Sequence, residues 1–490
     1  MKRALIQTFG CQMNVHDSRR IQEVLQRGGY GLAERVEDAD LVVFNTCSIR
    51  EKADHKLYSA VGTLREAKEA KGDLVIAVAG CLAQQQGEQL LSRLPLVDVV
   101  VGPDNLAELP GMIRHVEGGG APLCRTEFDL EAPSFLTATP QPGRTEVTAY
   151  VTVMKGCDER CTYCIVPYTR GSERYRPASE IVAEVATLVE GGVREITLLG
   201  QTVNSWHEPV GSKAAGPMAE RPVSQFAELL YRIAESVPGL QRLRYTSPHP
   251  RHITEPLLQA HRDLAILPAH VHLPVQSGSD RVLRRMLRRY RREEFVERAL
   301  RLSATRPGFT LSTDIIVGFP GETEEDFVET LSLVKEVGFV SAFGFKYSPR
   351  PHTPALRFGD DITEAVKAER LQRLFEATDG QQLAHLQRLV GTTTRVLFEG
   401  PSRGKAQAEG QRFSGRSERN EIVHVDVPRG QDPTGQCLSV RVEAANRHSL
   451  TGCLLEPITI SADVPPVPSS RPSAEAGAAA RTPVRLPVVS

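Results

Sequence analysis

The chain has 490 residues, with 59 Lys plus Arg against 60 Asp plus Glu and a formal net charge of −1. That balance excludes the global field of a polycation or polyanion, so any surface for nucleic acid or membrane has to be local. The opening MKRALIQTFGCQMN turns polar after a few apolar residues and no run of about 18 apolar residues occurs, so neither a signal peptide nor a membrane span is expected and the protein reads as cytosolic.

The length suits about three domains. In the first, spanning residues 1–118, the runs ALIQTF (4–9), LVVFNT (41–46) and LVIAVA (74–79) are short, apolar and rich in β-branched residues, and helix-permissive stretches separate them. This alternation predicts a parallel sheet in a βα fold, whose site lies beyond the carboxyl ends of its strands. Each run ends in a cysteine: FGCQMN gives Cys11, NTCSIRE gives Cys47 and AGCLAQ gives Cys81. Nine cysteines in a reducing compartment read as ligands or catalysts rather than disulfides. Three thiolates on one rim suit an iron–sulfur cluster or zinc, and the residue types alone leave both open. Cys124, Cys437 and Cys453 stand alone and read as small buried hydrophobes.

Residues 119–142, rich in Pro and Gly, read as a linker. A second βα series then fills 143–380, with candidate strands VTAYVTVM, REITLLG, QRLRYTS, HVHLPVQS, LSTDIIVGF and SAFGFKYS. Six units predict an incomplete barrel with its active face at the strand carboxyl ends. Directly after the first strand comes KGCDERCTYC, which places Cys157, Cys161 and Cys164 in a CxxxCxxC loop on that face. A four-iron cube held by three thiolates keeps one iron open for a small chelating molecule. Zinc-ribbon chemistry lacks its second cysteine pair here. The segment DRVLRRMLRRYRR predicts a helix burying Leu283, Met286 and Leu287 under a run of arginines, and Ser279 or Asp280 reads as its cap. Residues 207–222 read as an exposed insertion. Past a long helical stretch, 388–460 alternate apolar and polar residues between Gly-rich turns, as a small antiparallel barrel would, and the Pro-, Ala- and Ser-rich 461–490 read as a disordered tail.

TFGCQMN, NTCSIREKADHK, AGCLAQ, MKGCDERCTYCIVPYTRGSERYRP, LGQTVNSW, TSPHP, HLPVQSGSDRVLRRM, TDIIVGFPGETEEDF and YSPRPHTPA follow in order the pattern of the methylthiotransferases of the radical S-adenosylmethionine superfamily, which the chain resembles over nearly its whole length. The resemblance implies a flavodoxin-like amino-terminal domain, a partial (β/α)6 TIM-like barrel and a carboxy-terminal TRAM domain, a small OB-like module for RNA. It implies two 4Fe-4S clusters, an auxiliary one on Cys11, Cys47 and Cys81 and a radical-generating one on Cys157, Cys161 and Cys164, with the methionine part of S-adenosylmethionine as the missing ligand of the latter. The implied reaction places a methylthio group on carbon 2 of N6-(dimethylallyl)adenosine at position 37 of tRNA, which needs both cluster mouths on one cavity.

Further expectations follow from that resemblance. Gly200 and Gln201, ending the second barrel strand, and Gly318, ending the fifth, are candidates to touch the cofactor, each set against a simple packing role. Arg160, Arg170, Arg174 and Arg176 around the cluster loop, with Lys405, Arg412, Arg416 and Arg419 in the last domain, are candidates for RNA phosphates. Thr202 and His352 depart from the family pattern and are assigned no contact. Implied partners are a tRNA anticodon stem-loop, a reducing electron-donor protein and a sulfur source, for a monomer with no membrane contact. Related substrates, threonylcarbamoyladenosine in tRNA or an aspartate of a ribosomal protein, are alternatives that SIREKADHK and TYCIVPYTRG disfavour, and a non-catalytic iron–sulfur RNA-binding protein is the alternative of another class.

Overall fold

The computed structural model of the chain describes residues 1–48, 51–128, 135–138, 146–209, 224–402 and 410–458. Most of the expected insertion, Lys405 and the expected tail lie outside them. The amino-terminal sheet is parallel throughout, in the order Gly31–Leu32, Arg3–Phe9, Leu41–Thr46, Val75–Gly80, Val99–Val101, Leu123–Arg125. This is the doubly wound arrangement of a flavodoxin-like domain with one added edge strand. Every residue of Leu41–Thr46 and Val75–Gly80 is buried, which is why those two runs read as continuous apolar sequence rather than as alternation. Leu123–Arg125, inside the stretch read as linker, is the added edge strand. Three residues paired along one edge give too short a pattern to register in the sequence.

The six barrel strands form two parallel ladders of three, Arg242–Tyr245 with Glu195–Leu199 and Thr148–Thr152, and His270–His272 with Thr310–Val317 and Ser341–Lys346. The barrel is therefore split as well as incomplete. Its strands and helices pack through one apolar cluster running from Ala149 to Leu374, with Phe226, Phe295, Phe327 and Phe339 fully buried. An unforeseen two-stranded hairpin, Met154–Lys155 against Arg174–Tyr175, clasps the cysteine loop between its strands. Strands of two residues carry no periodicity for a sequence reading to detect.

The expected arginine-rich helix stops at Asp280–Arg285. Val282, Leu283 and Met286 are buried, but Leu287 is 43% exposed, because the chain leaves the helix and takes left-handed φ at Leu287 (55°) and Arg289 (56°). Ser279 holds the N-cap position without capping through its side chain, which donates to Asp326 instead (2.6 Å).

The last domain is a closed five-stranded barrel in the order Thr393–Pro401, Gly410–Ser417, Ile422–Pro428, Leu450–Leu454, Cys437–Ala445. One of its pairings, Ile422–Pro428 with Leu450–Leu454, is parallel, so it is not the purely antiparallel barrel expected. Arg242 and Arg244 donate to the carbonyls of Arg416 (3.0 Å) and Ser417 (3.1 Å), which docks this domain against the start of a barrel strand, away from the carboxyl ends. Cys124, Cys437 and Cys453 are only half-buried. No helix among the described residues is long and apolar enough to cross a membrane.

Candidate metal centres

Strand register brings the first three cysteines level. Phe9 pairs with Thr46 and Thr46 with Gly80, so the chain leaves three adjacent strands at one height and meets Cys11, Cys47 and Cys81 immediately beyond. Gly80 has φ 93°, and a Cβ there would stand 2.4 Å from Asn45 Oδ1 and 2.7 Å from the Thr46 carbonyl oxygen, so only glycine lets the third strand turn beside its neighbour. Buried amides tie the rim together: Asn45 Nδ2 donates to the Asn14 carbonyl (2.8 Å) and to Ser18 Oγ (2.9 Å), and Asn14 Nδ2 donates to Asn45 Oδ1 (3.2 Å). Cys47 and Cys81 are buried and Cys11 is half-buried. A hydrogen bond with Cys47 brings the Cys11 thiol down to about 6 against the effect of burial, whereas burial pushes Cys81 up.

The second triad is held by its own loop. Cys157 N donates to the Gly171 carbonyl (3.1 Å), Thr162 N to Met286 O (3.0 Å), and Ala355 N to Thr162 O (2.9 Å). Gly156, with φ 79°, has Ser172 O where a Cβ would sit, at 1.9 Å. Two neighbours reach the sulfurs: Thr202 Oγ1 lies 3.1 Å from Cys157 Sγ, and Arg288 Nη1 donates to Cys161 Sγ at 3.4 Å. Burial pushes the Cys164 thiol up to about 12 and raises Cys157 as well. Neither of these two contacts was assigned from sequence. Arg288 lay hidden in the basic run and turns inward because Leu287 and Arg289 on either side take left-handed backbone.

Three His, Cys, Asp or Glu ligand atoms within 4.8 Å of one another would suit a single preformed metal ion. Glu159, His249 and His252 do converge that closely. Yet His249 Nδ1 accepts from Arg251 N (3.3 Å), which leaves the ring proton on Nε2, and Arg251 already pairs with Glu159 (3.3 Å), so this group is not built for a cation.

One residue joins the two centres across the domain boundary. Arg170 ends the helix Val166–Arg170 that follows the CxxxCxxC loop, is 4% exposed, and donates through Nε to Cys81 Sγ (3.3 Å) and through Nη2 to Asp17 Oδ2 (2.6 Å). Burial alone would raise the Asp17 carboxyl, and the guanidinium instead holds it well below the usual carboxylate range. This overturns the expectation that Arg170 meets RNA phosphate. The same correction applies to Arg174, buried against Asp104, and to Arg176, buried against Glu184. Arg412 forks onto Asp426 (2.8 Å twice), Arg416 pairs with Glu399 (3.5 Å) beside the docked strand, and Arg419 pairs with Glu421 (3.2 Å). Of the eight cations singled out in the sequence, Arg160 is the one among the described residues that stays exposed with no ion pair. The other described cations are tied to carboxylates, Arg170 and Arg174 to ones far off in sequence, Arg412 and Arg416 to ones on a facing strand, and Arg176 and Arg419 to near neighbours.

The cofactor candidates also separate. Both polar ends of Gln201, Oε1 and Nε2, are buried with no hydrogen-bond partner, at the carboxyl end of the strand Glu195–Leu199. A buried amide left this way calls for a polar guest. Gly200 and Gly318 are explained by packing: a Cβ would meet Met154 Cγ at 2.6 Å in one case and Lys367 Cγ at 2.4 Å in the other.

Residues 3–102 match the model of an uncharacterized protein family, UPF0004, and residues 151–334 that of the radical SAM superfamily. A tRNA-2-methylthio-N(6)-dimethylallyladenosine synthase of Sorangium cellulosum is 58% identical over 467 residues, covering 93% of this chain and 94% of the relative. One of Agrobacterium fabrum is 45% identical over 458 residues, covering 92% and 96%. Among solved structures, a radical S-adenosylmethionine methyltransferase, TsrM, from Kitasatospora setae superposes with a TM-score of 0.49 at 14% identity over 83% of this chain and 79% of that one, too remote to inform the site.

Proposed function

The chain belongs to the family of the tRNA-2-methylthio-N(6)-dimethylallyladenosine synthases, radical SAM enzymes, and from that premise we propose that its two cysteine triads hold two 4Fe-4S clusters serving one cavity, where the methylthio group is placed on carbon 2 of N6-(dimethylallyl)adenosine in a tRNA anticodon loop. Cys157, Cys161 and Cys164 would hold the cluster that receives S-adenosylmethionine, and Cys11, Cys47 and Cys81 the auxiliary one. Loaded, these groups supply the methyl donor, the hydrogen-abstracting radical and the sulfur.

The protein's own part is position, charge and the exclusion of water. Arg288 donates to the Cys161 sulfur and the Thr202 hydroxyl lies against the Cys157 sulfur, contacts that fix the rotamers of both side chains. Gln201 offers an amide acceptor and donor, unclaimed by the protein, to the amino and carboxylate groups of the methionine moiety. Burial of four of the six cysteines, Cys47, Cys81, Cys157 and Cys161, keeps solvent from the reacting centre. A reducing electron donor and a sulfur source complete the partners, and the chain acts as a monomer.

The observation that carries the reading is Arg170, which springs from the loop of one triad and bonds a cysteine of the other. In the test, Cys157, Cys161 and Cys164 are changed together to Ala. S-adenosylmethionine cleavage should vanish while the auxiliary cluster remains visible by spectroscopy, and retained cleavage would remove the proposal. Nucleoside analysis of tRNA from a strain lacking the protein should show the dimethylallyl nucleoside without its methylthio group.

A further inference from the structure

With Arg170, Arg174 and Arg176 consumed by buried carboxylates, the surface that meets the substrate has to be built from other side chains. The segment carrying His352 is fastened to the cluster loop by the bond from Ala355 N to Thr162 O, and it brings the His352 ring to 5.8 Å from the ring of Tyr168 on the helix Val166–Arg170. The two rings are tilted by 35° and do not seal one another, and Tyr168 remains 45% exposed. His352 is exposed and sits at φ 64°, a left-handed conformation that glycine would hold without strain. A strained, exposed imidazole beside an exposed phenol is not explained by packing. Arg285 lies over Phe358 at 4.5 Å, and Phe358 is 38% exposed, so aromatic surface and cation continue along the same segment. On the other side of the loop, the turn bonded to Thr162 N through Met286 O presents Arg289 outward, exposed and, like Arg160, without an ion pair among the described residues.

We propose that Tyr168 and His352 form a stacking platform for an unpaired RNA base at the barrel mouth, with Arg160 and Arg289 taking the flanking phosphates. Aromatic faces receive any base, and unpaired guanidinium groups beside them hold the backbone, the combination by which single-stranded loops are bound. The inference rests on the RNA substrate of the proposed function and names the surface that reads the loop around the reacting base.

The test uses the anaerobically reconstituted enzyme and a labelled anticodon stem-loop bearing N6-(dimethylallyl)adenosine, with binding followed by anisotropy. Tyr168→Ala should weaken binding by about 5- to 150-fold and Tyr168→Phe by less than about twofold, since stacking needs the ring and not the hydroxyl. His352→Gly separates function from structure: the melting temperature should hold or rise as strain is relieved, while RNA binding falls at least about fivefold. Arg289→Gln should reduce the slope of log affinity against log salt by about 0.7 to 0.9, one phosphate contact. Wild-type affinity in Tyr168→Ala and His352→Gly would overturn the platform and leave the proposed function standing. A wild-type enzyme that does not bind the stem-loop at all would overturn both.

Discussion

Replacing Arg170 by Met removes the one cation that faces both Asp17 and Cys81 while keeping a side chain of similar length. Asp17 is then left inside the domain interface without its guanidinium, keeping the His16 ring at 3.5 Å as a weaker partner. Breaking a buried pair from one side costs about 3–5 kcal/mol, far more than the net contribution of the intact pair, because the remaining charge keeps its desolvation penalty. For a cooperative unit of roughly 150–250 residues that is a fall of about 6–20 °C in melting temperature. The deficit depends on pH. With Arg170 present the Asp17 carboxyl is held low, so its stabilisation is complete above the unfolded value of about 3.9 and fades as pH falls below it. Without Arg170, burial raises the carboxyl, and the variant loses ground as pH rises from 4 to 7. Calorimetry of wild type, Arg170→Met, Asp17→Leu and the double variant closes a cycle. The double variant should recover a large part of what each single variant loses. Additive losses, or a deficit that does not grow between pH 4 and pH 7, would refute the reasoning.

Gly80→Ala should cost about 1–3 kcal/mol by denaturant unfolding, since its Cβ has nowhere to go between Asn45 and Thr46, whereas Gly72→Ala, with open space at a similar φ, should cost less. In the last domain, hydrogen bonds from His385 and Ser417 outweigh burial and hold Glu421 at about 2, so about 3 kcal/mol of stability, present above pH 4.5, should be lost as pH falls toward 2; Glu421→Gln should flatten that acid limb in a thermal series. In metal-free protein at pH 7, Cys11, brought to about 6, should be alkylated by iodoacetamide well before Cys164, pushed to about 12, as peptide mass spectrometry would show.

The strands and the two cysteine triads were legible because their signals are local. Runs of Val, Ile and Leu ending in cysteine state both the sheet and the rim, and CxxxCxxC states its loop within eight residues. The arginines were not legible, because what a guanidinium does depends on the partner that the fold delivers. Arg170 meets Cys81 from 89 residues away and Asp17 from 153, so a cation placed on the RNA side by its neighbours in sequence belongs with a cysteine and a buried carboxylate in space. Arg288 looked like one more member of a solvated run, and its inward turn depends on left-handed backbone at Leu287 and Arg289 that no glycine advertised. His352 was passed over as a departure from pattern and proves to be the exposed, strained partner of Tyr168. Gln201 was singled out together with Gly200 at a strand end, and only its burial without a partner separates it from the close-packed Gly200 and Gly318.

The proposed function requires two clusters, each held by three thiolates. Iron and sulfide content with Mössbauer spectra, taken on anaerobically reconstituted wild type and on the two triple-alanine variants, tests it. The prediction is two four-iron clusters in wild type, one in the variant lacking Cys11, Cys47 and Cys81, and one in the variant lacking Cys157, Cys161 and Cys164. Full iron content in either variant, or a single cluster in wild type, would contradict it.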